Sequence, residues 1–233
     1  VAVKITALEN SLREIQNKFT DTTTVLLVQN GYGVKEIANR ALSGFLPQEN
    51  IFQAIATLGA VMTEPGKIEL FPGGLKAEKA FGDSEYGHIF DNTLIQYRIT
   101  KGLDKAIWKK LIINSVVNPL SVIFRAKNKV IADDVFTDLK EALLKECRAV
   151  ARSEGYNISL SVADVNSFIR SDNRTSMLQD YFRKRPNEID FINGAVIRIG
   201  EKNGINVSTN KIIYEIVKNI EKMRLEGNEE TGL

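Results

Sequence analysis

The chain has 233 residues, 43% of them hydrophobic and 26% charged, with 31 basic against 29 acidic side chains and a net charge of +2. That composition suits a globular protein with room for two small domains, and an even charge balance without any basic block excludes a nucleic-acid footprint. One cysteine, Cys147, and one histidine, His88, exclude an internal disulfide, a cysteine metal cluster and a multi-histidine metal site, and no apolar run reaches the ~18 residues of a membrane span.

In chain order, Val1 to Lys4 reads as the end of a strand, so the sequence is expected to start inside an element whose earlier part is missing. Leu12, Ile15 and Phe19 lie at helical spacing and predict a helix over Glu9 to Phe19. TTTVLLVQN is a continuous β-branched and apolar run, the pattern of a strand buried in a parallel sheet. Gly31 and Gly33 break it, and a helix is expected from about Val34 to Leu42. IFQAIATLGA, GKIELF and KAEKAFG read as strands separated by Pro-Gly and Gly-Gly turns, so residues 1–99 form an α/β domain.

Residues 100–233 change to a period of 3.6. Long helices are expected over Asp104 to Lys127 and over Asp133 to Glu154, where Gly155 supplies the stop. Ser161 is placed to cap a helix bearing Val162, Val165, Phe168 and Ile169. Ile189 to Asn203 and Thr209 to Leu225 are further amphipathic helices, and the tail GNEETGL is expected to fray. The C-terminal part is therefore all-helical.

Within the first of these helices, WKKLIINSVVNP, the polar residues Lys110, Asn114 and Asn118 recur every four positions in an apolar run. A step of four turns about 40° around the axis, so the three form a stripe about 80° wide. A solvent-facing stripe is the plain reading. Asn, however, is a poor helix former, and two amides and an ammonium on one face suit a ligand with carbonyl, hydroxyl or carboxylate groups. Pro119 removes a backbone hydrogen bond just after Asn118.

In SMLQDYFRKRPNEIDFINGAV, Asn187 can cap the next helix, with Glu188 and Asp190 in its first turn, where the dipole favours acids. Gly194 inside that helix costs about 1 kcal/mol relative to alanine, which points to close packing. QNGYGVKE offers the G-x-G start of a dinucleotide fingerprint, but Glu36 stands at the third glycine and would repel a phosphate. These glycines are turn residues. Cys147 and Trp108 read as core, Trp108 alternatively as a domain-junction residue, and His88 as a surface loop residue.

These segments resemble the ketopantoate reductases (2-dehydropantoate 2-reductases). WKKLIINSVVNPLSVIF is similar to that family's W-x-K-x-x-x-N-x-x-x-N-P helix. SMLQD and NEIDFINGAVIRIGEKNGINVSTN are similar to its S-M-x-x-D and E-I-D-x-x-N-G segments, and VAVK, QNGYG, IATLGA and PGKIELFPGG to its N-terminal strands and turns. The resemblance runs from Val1 to about Leu225. It implies a partial Rossmann-like NADP-binding domain followed by a helical C-terminal domain, with the polar helical face turned to the cleft between them. It implies NADPH as cofactor, a small 2-keto acid as substrate, and reduction of ketopantoate to pantoate in pantothenate synthesis. Lys110 would be the general acid. Asn114, Asn118 and Ser176 would hold the substrate, and Glu188 would take a substrate hydroxyl or help to position Lys110. Asn30 and Lys4 would lie by the cofactor.

The sequence departs from the family in lacking the first βα unit with its glycine-rich pyrophosphate turn, in a short linker after KAFGD, in Leu58 at a position where the family often has histidine, and in Ser208 for proline. Those departures motivate the alternative of a non-catalytic relative that binds or regulates. The apolar faces of the helical domain allow a homodimer. No signal peptide is recognisable, and a cytoplasmic setting is expected, with no membrane or nucleic-acid partner.

Overall fold

A computed structural model of the chain describes residues 1–71, 73–169 and 172–227; the expected frayed tail beyond Gly227 lies outside these. The chain divides into two compact units, Val1–Ile107 and Trp108–Leu233.

In the N-terminal unit, α1 (Ile5–Ile15) buries Ile5, Leu8 and Leu12 along one face and runs on as a 3-10 turn over Gln16–Lys18. The helix begins earlier than its sequence pattern suggests because Ile5 and Leu8 carry the apolar spacing back from Leu12. The expected strand at Val1 to Lys4 is not formed as an element of its own, and Lys4 is the N-cap position of α1. A remnant of strand pairing persists at Val1, whose ammonium donates to Leu26 O at 2.7 Å and whose carbonyl accepts from Val28 N at 3.3 Å.

β1 (Val25–Leu27) pairs in parallel with β2 (Ile51–Ala56), Val25 opposite Ile51, and α2 (Val34–Ala41) forms the crossover. The expected continuous run IFQAIATLGA divides after Ala56: Gly59–Glu64 is a separate strand, β3, which forms a two-stranded antiparallel hairpin with β4 (Lys67–Phe71). KAEKAFG is likewise not one strand. β5 (Gly74–Glu78) ends at Glu78 and α3 (Lys79–Gly82) follows. An extended chain would send Lys79 to the face where Leu75 and Ala77 are buried; the helical turn instead pairs Lys79 with Asp83 and turns Phe81 into the core. There Phe81 packs against Ala77, Ala54 and Phe52, its ring edge-on to Phe52 at 5.6 Å.

β5 runs antiparallel to β2, and β6 (Gln96–Thr100) runs parallel to β5, which gives a mixed sheet of order β1-β2-β5-β6. β6 carries no apolar alternation, since Gln96, Arg98 and Ile99 are exposed at the sheet edge, and for that reason its sequence does not announce it.

The C-terminal unit is helical: α4 (Leu103–Ile123, in this unit from Trp108), α5 (Asn128–Ile131), α6 (Thr137–Ser153), α7 (Val162–Ile169), α8 (Ser176–Phe182), α9 (Asn193–Lys202) and α10 (Ser208–Glu226). α4 buries Trp108, Leu111, Ile112, Ser115, Val116, Val117 and Leu120. Their spacing covers most of the circumference, as befits a central helix. Trp108 stacks near Tyr156, ring centroids 6.0 Å apart.

Ser161 caps α7 as a reciprocal pair with Asp164: Asp164 N donates to Ser161 Oγ at 3.1 Å and Ser161 N to Asp164 Oδ2 at 2.8 Å. The helix expected from Ile189 breaks at Ile192, whose backbone departs from helical values, into a 3-10 turn over Ile189–Phe191 and then α9. Gly200 of α9 is required by packing, because a Cβ there would lie 2.6 Å from Val207 Cγ1. Lys140 is fully buried on α6, and its ammonium donates to Ile131 O, Asp133 O and Asn166 Oδ1 at 2.8–2.9 Å. It is a structural clamp with its donors met. Among the described residues no helix is long and apolar enough to cross a membrane.

Candidate active site

Lys110, Asn114 and Asn118 lie on α4 with buried residues on both flanks. The face is not a solvated stripe: Asn118 is 5% exposed, and Lys110 and Asn114 are half-buried. Burial pushes the Lys110 ammonium from its ordinary 10.5 down to about 8, against the opposing attraction of the Glu188 carboxylate. A lysine with this value is a ready proton donor near neutral pH.

Glu188 is 3% exposed. It stands at the N-cap position of the 3-10 turn, one step before the first turn in which the sequence puts it. Asn187 holds that turn. Its Oδ1 accepts from Ile189 N at 2.8 Å, and its own N donates to Glu221 Oε1 at 2.7 Å. Asp190 faces elsewhere, accepting from Tyr214 Oη at 2.5 Å and pairing with Lys218 at 3.1 Å. Lys110 and Glu188, 78 positions apart in the chain, are thus electrostatic neighbours.

Ser176 opens α8, and its placement follows from a chain of hydroxyls. Ser121 Oγ donates to Asn118 O at 2.7 Å and lies 2.6 Å from Thr175 Oγ1, which accepts from Leu178 N at 3.1 Å as the N-cap of α8. A hydroxyl has one proton to give. The Ser121 proton goes to Asn118 O, so Thr175 must donate to Ser121. This buried relay seats the start of α8, and with it Ser176, against the turn of α4 that carries Asn118. Ser121 and Thr175 are the residues a sequence reading passes over, since a hydroxyl on a helix or at a cap has no signature of its partner.

Lys4 and Asn30 belong to the N-terminal unit. Lys4 is exposed. Asn30 is half-buried on the turn after β1, which is tied to the start of the chain by Gln29 Nε2 donating to Val1 O at 2.9 Å. Gly31 and Gly33 adopt φ of 95° and 85°, which only glycine takes without strain, and Glu36 occupies the first turn of α2. These are turn glycines, not a phosphate cradle. Asn30 follows the carboxyl end of a parallel strand, where α/β sheets receive ligands, and its amide suits the carboxamide of a nicotinamide. No G-x-G-x-x-G occurs in the 233 residues. Among the described residues, no group of three or more His, Cys, Asp or Glu is arranged to hold a metal ion.

Known proteins resemble this chain over most of its length. Residues 1–83 match the family model described as ketopantoate reductase PanE/ApbA, and residues 103–221 match its C-terminal counterpart. The 2-dehydropantoate 2-reductase of Vibrio cholerae is 27% identical over 239 residues, an alignment covering 95% of this chain and 77% of that protein. A PanE/ApbA family ketopantoate reductase from Ralstonia eutropha superposes with a TM-score of 0.83 at 25% identity, over 95% of this chain and 74% of its own. A D-mandelate dehydrogenase solved with NADH and anilino(oxo)acetate superposes at 0.82 with 25% identity, over 96% and 75%.

Proposed function

The chain belongs to the ketopantoate reductase family, and from that premise we propose that it serves as an NADPH-dependent 2-dehydropantoate 2-reductase, turning the ketone of ketopantoate into the alcohol of pantoate. The observation that carries this reading is the desolvated Lys110 ammonium beside Glu188, on the helical face that also bears Asn114 and Asn118. A nicotinamide cofactor, when bound, supplies hydride to the ketone carbon. Lys110 donates a proton to the ketone oxygen as negative charge develops there. Asn114 and Asn118 offer amide N–H groups, and Ser176 a hydroxyl, to the substrate's carboxylate and hydroxyls. Glu188 keeps Lys110 charged and accepts from a substrate hydroxyl. Asn30 and Lys4 hold the cofactor side.

The test is ketopantoate-dependent NADPH oxidation by the chain and by Lys110→Ala. The substitution is expected to lower the rate by about 10²–10⁴-fold, the usual contribution of a positioned general acid. The parent rate should fall as pH rises through about 8, where the ammonium loses its proton. An unchanged rate in Lys110→Ala would refute the assignment. The same assay run with an aryl 2-keto acid separates ketopantoate from the substrate chemistry in the name of the D-mandelate dehydrogenase.

A further inference from the structure

We infer that Asn193 is a positioning residue for the amide face of α4, acting as the hydrogen-bond donor that Pro119 lacks; the inference rests on the reading of that face as the substrate site. In an α-helix the carbonyl of Ser115 is met by the N–H of residue 119. Residue 119 is proline and has none. Ser115 is 0% exposed, so water does not replace the missing donor, and an unmet buried carbonyl is strongly disfavoured. Asn193, at the start of α9 and also 0% exposed, places its Nδ2 2.9 Å from Ser115 O.

The orientation of that amide follows from its neighbours. Glu146 accepts from Thr209 N at 2.8 Å, from Asn210 N at 2.9 Å and from Asn210 Nδ2 at 2.8 Å. A carboxylate of this kind only accepts, so Asn210 must turn its NH₂ to Glu146 and its Oδ1 away. Asn210 Oδ1 then faces Asn193 Nδ2 at 3.0 Å. Both protons of the Asn193 amide are used, one on Asn210 and one on Ser115. Its Oδ1 has no partner among the described residues, so the side chain acts here through its donors.

The position of this bond gives it a role at the site. Asn114 directly precedes Ser115, and Asn118 directly precedes Pro119. The bond from Asn193 therefore closes the one turn of α4 that separates the two amides, at the point where the helical ladder is interrupted. The hydroxyl of Ser115 is turned back to Leu111 O at 2.8 Å, a contact that favours bending. The angle between Asn114 and Asn118 is thus set through Asn193, by way of Asn210 and Glu146, from α6 and α10.

A cycle of Asn193→Ala, Pro119→Ala and the double variant tests this, with the affinity for pantoate read by calorimetry and thermal midpoints as a control of folding. Alanine at 119 restores the N–H and makes Asn193 redundant to Ser115 O. Pantoate affinity should fall about tenfold on Asn193→Ala in the parent chain and by no more than about twofold in the Pro119→Ala background, as expected for coupled positions. Equal losses in both backgrounds, or none in either, would overturn the positioning role. If the parent binds no pantoate, the substrate reading of the face fails and the positioning role with it. Binding in the parent with an uncoupled cycle removes the positioning role alone. Should Asn193→Ala not fold, Asn193→Ser, which keeps one donor, takes its place with the same expectations in smaller measure.

Discussion

Replacing Lys110 by methionine keeps the length and most of the apolar stem of the side chain and removes its charge. Below pH 8 the lysine is protonated in both the folded and the unfolded chain, and the folded state bears the desolvation of the ammonium. The difference between 10.5 and about 8, at 1.36 kcal/mol for each pH unit, makes that burden about 3 kcal/mol. Between the two values the folded chain has released the proton and the unfolded chain still holds it, so stability of the parent rises with pH across this window. Lys110→Met has no such rise. It should therefore be about 3 kcal/mol more stable than the parent at pH 7, with the advantage vanishing above about 10.5. Urea unfolding followed by the fluorescence of Trp108, the single tryptophan, 1% exposed and on the same helix, measures both proteins. Stability curves that run parallel from pH 7 to 11, or a variant no more stable at pH 7, would refute the claim that the site holds a desolvated cation. A more stable but inactive variant is the expected signature of a group kept for chemistry at the expense of folding.

Two further outcomes follow from the bonds around the site. Thr175→Val removes the cap of α8 and the proton given to Ser121; a loss of about 1–2 kcal/mol is expected by thermal denaturation, with weaker binding of the keto acid because Ser176 rides on that helix end. Burial raises the Glu146 carboxyl, but the hydrogen bonds from Asn210 and Thr209 outweigh it and hold the group below its ordinary 4.5. Its contribution is therefore full above about 4.5 and is lost as pH falls through the lower folded value; Glu146→Gln should flatten that acid limb of the stability profile and cost about 1–3 kcal/mol at pH 7 by urea titration.

The Lys110 face also bears on the alternative of a non-catalytic relative. The desolvated Lys110 ammonium, next to an acid that is itself 3% exposed, supports the catalytic reading over that alternative.

Much of this protein is legible along the chain itself. The apolar run around Val25, the helical spacing of Leu111, Ile112, Val116 and Leu120, and the cap at Ser161 depend on neighbours within a few positions, and the elements appear where those residues require them. The period-four recurrence of Lys110, Asn114 and Asn118 is likewise local, and the spacing marks a polar stripe, which only the burial of Asn118 and its neighbours separates from a solvated one. Tertiary contacts decided the rest. KAEKAFG turns helical after Glu78, with Phe81 packed on Phe52 and Ala77, and Val1 pairs with Leu26 and Val28, contacts between positions far apart in the chain. The lowered proton affinity of Lys110 comes from burial and is opposed by Glu188, neither of which local sequence brings about. Pro119 announces in the sequence that one carbonyl of α4 is left without its helical partner. That Asn193, 74 positions later, supplies the donor is decided only by folding, because hydrogen bonding depends on distance in space and carries no trace of separation along the chain.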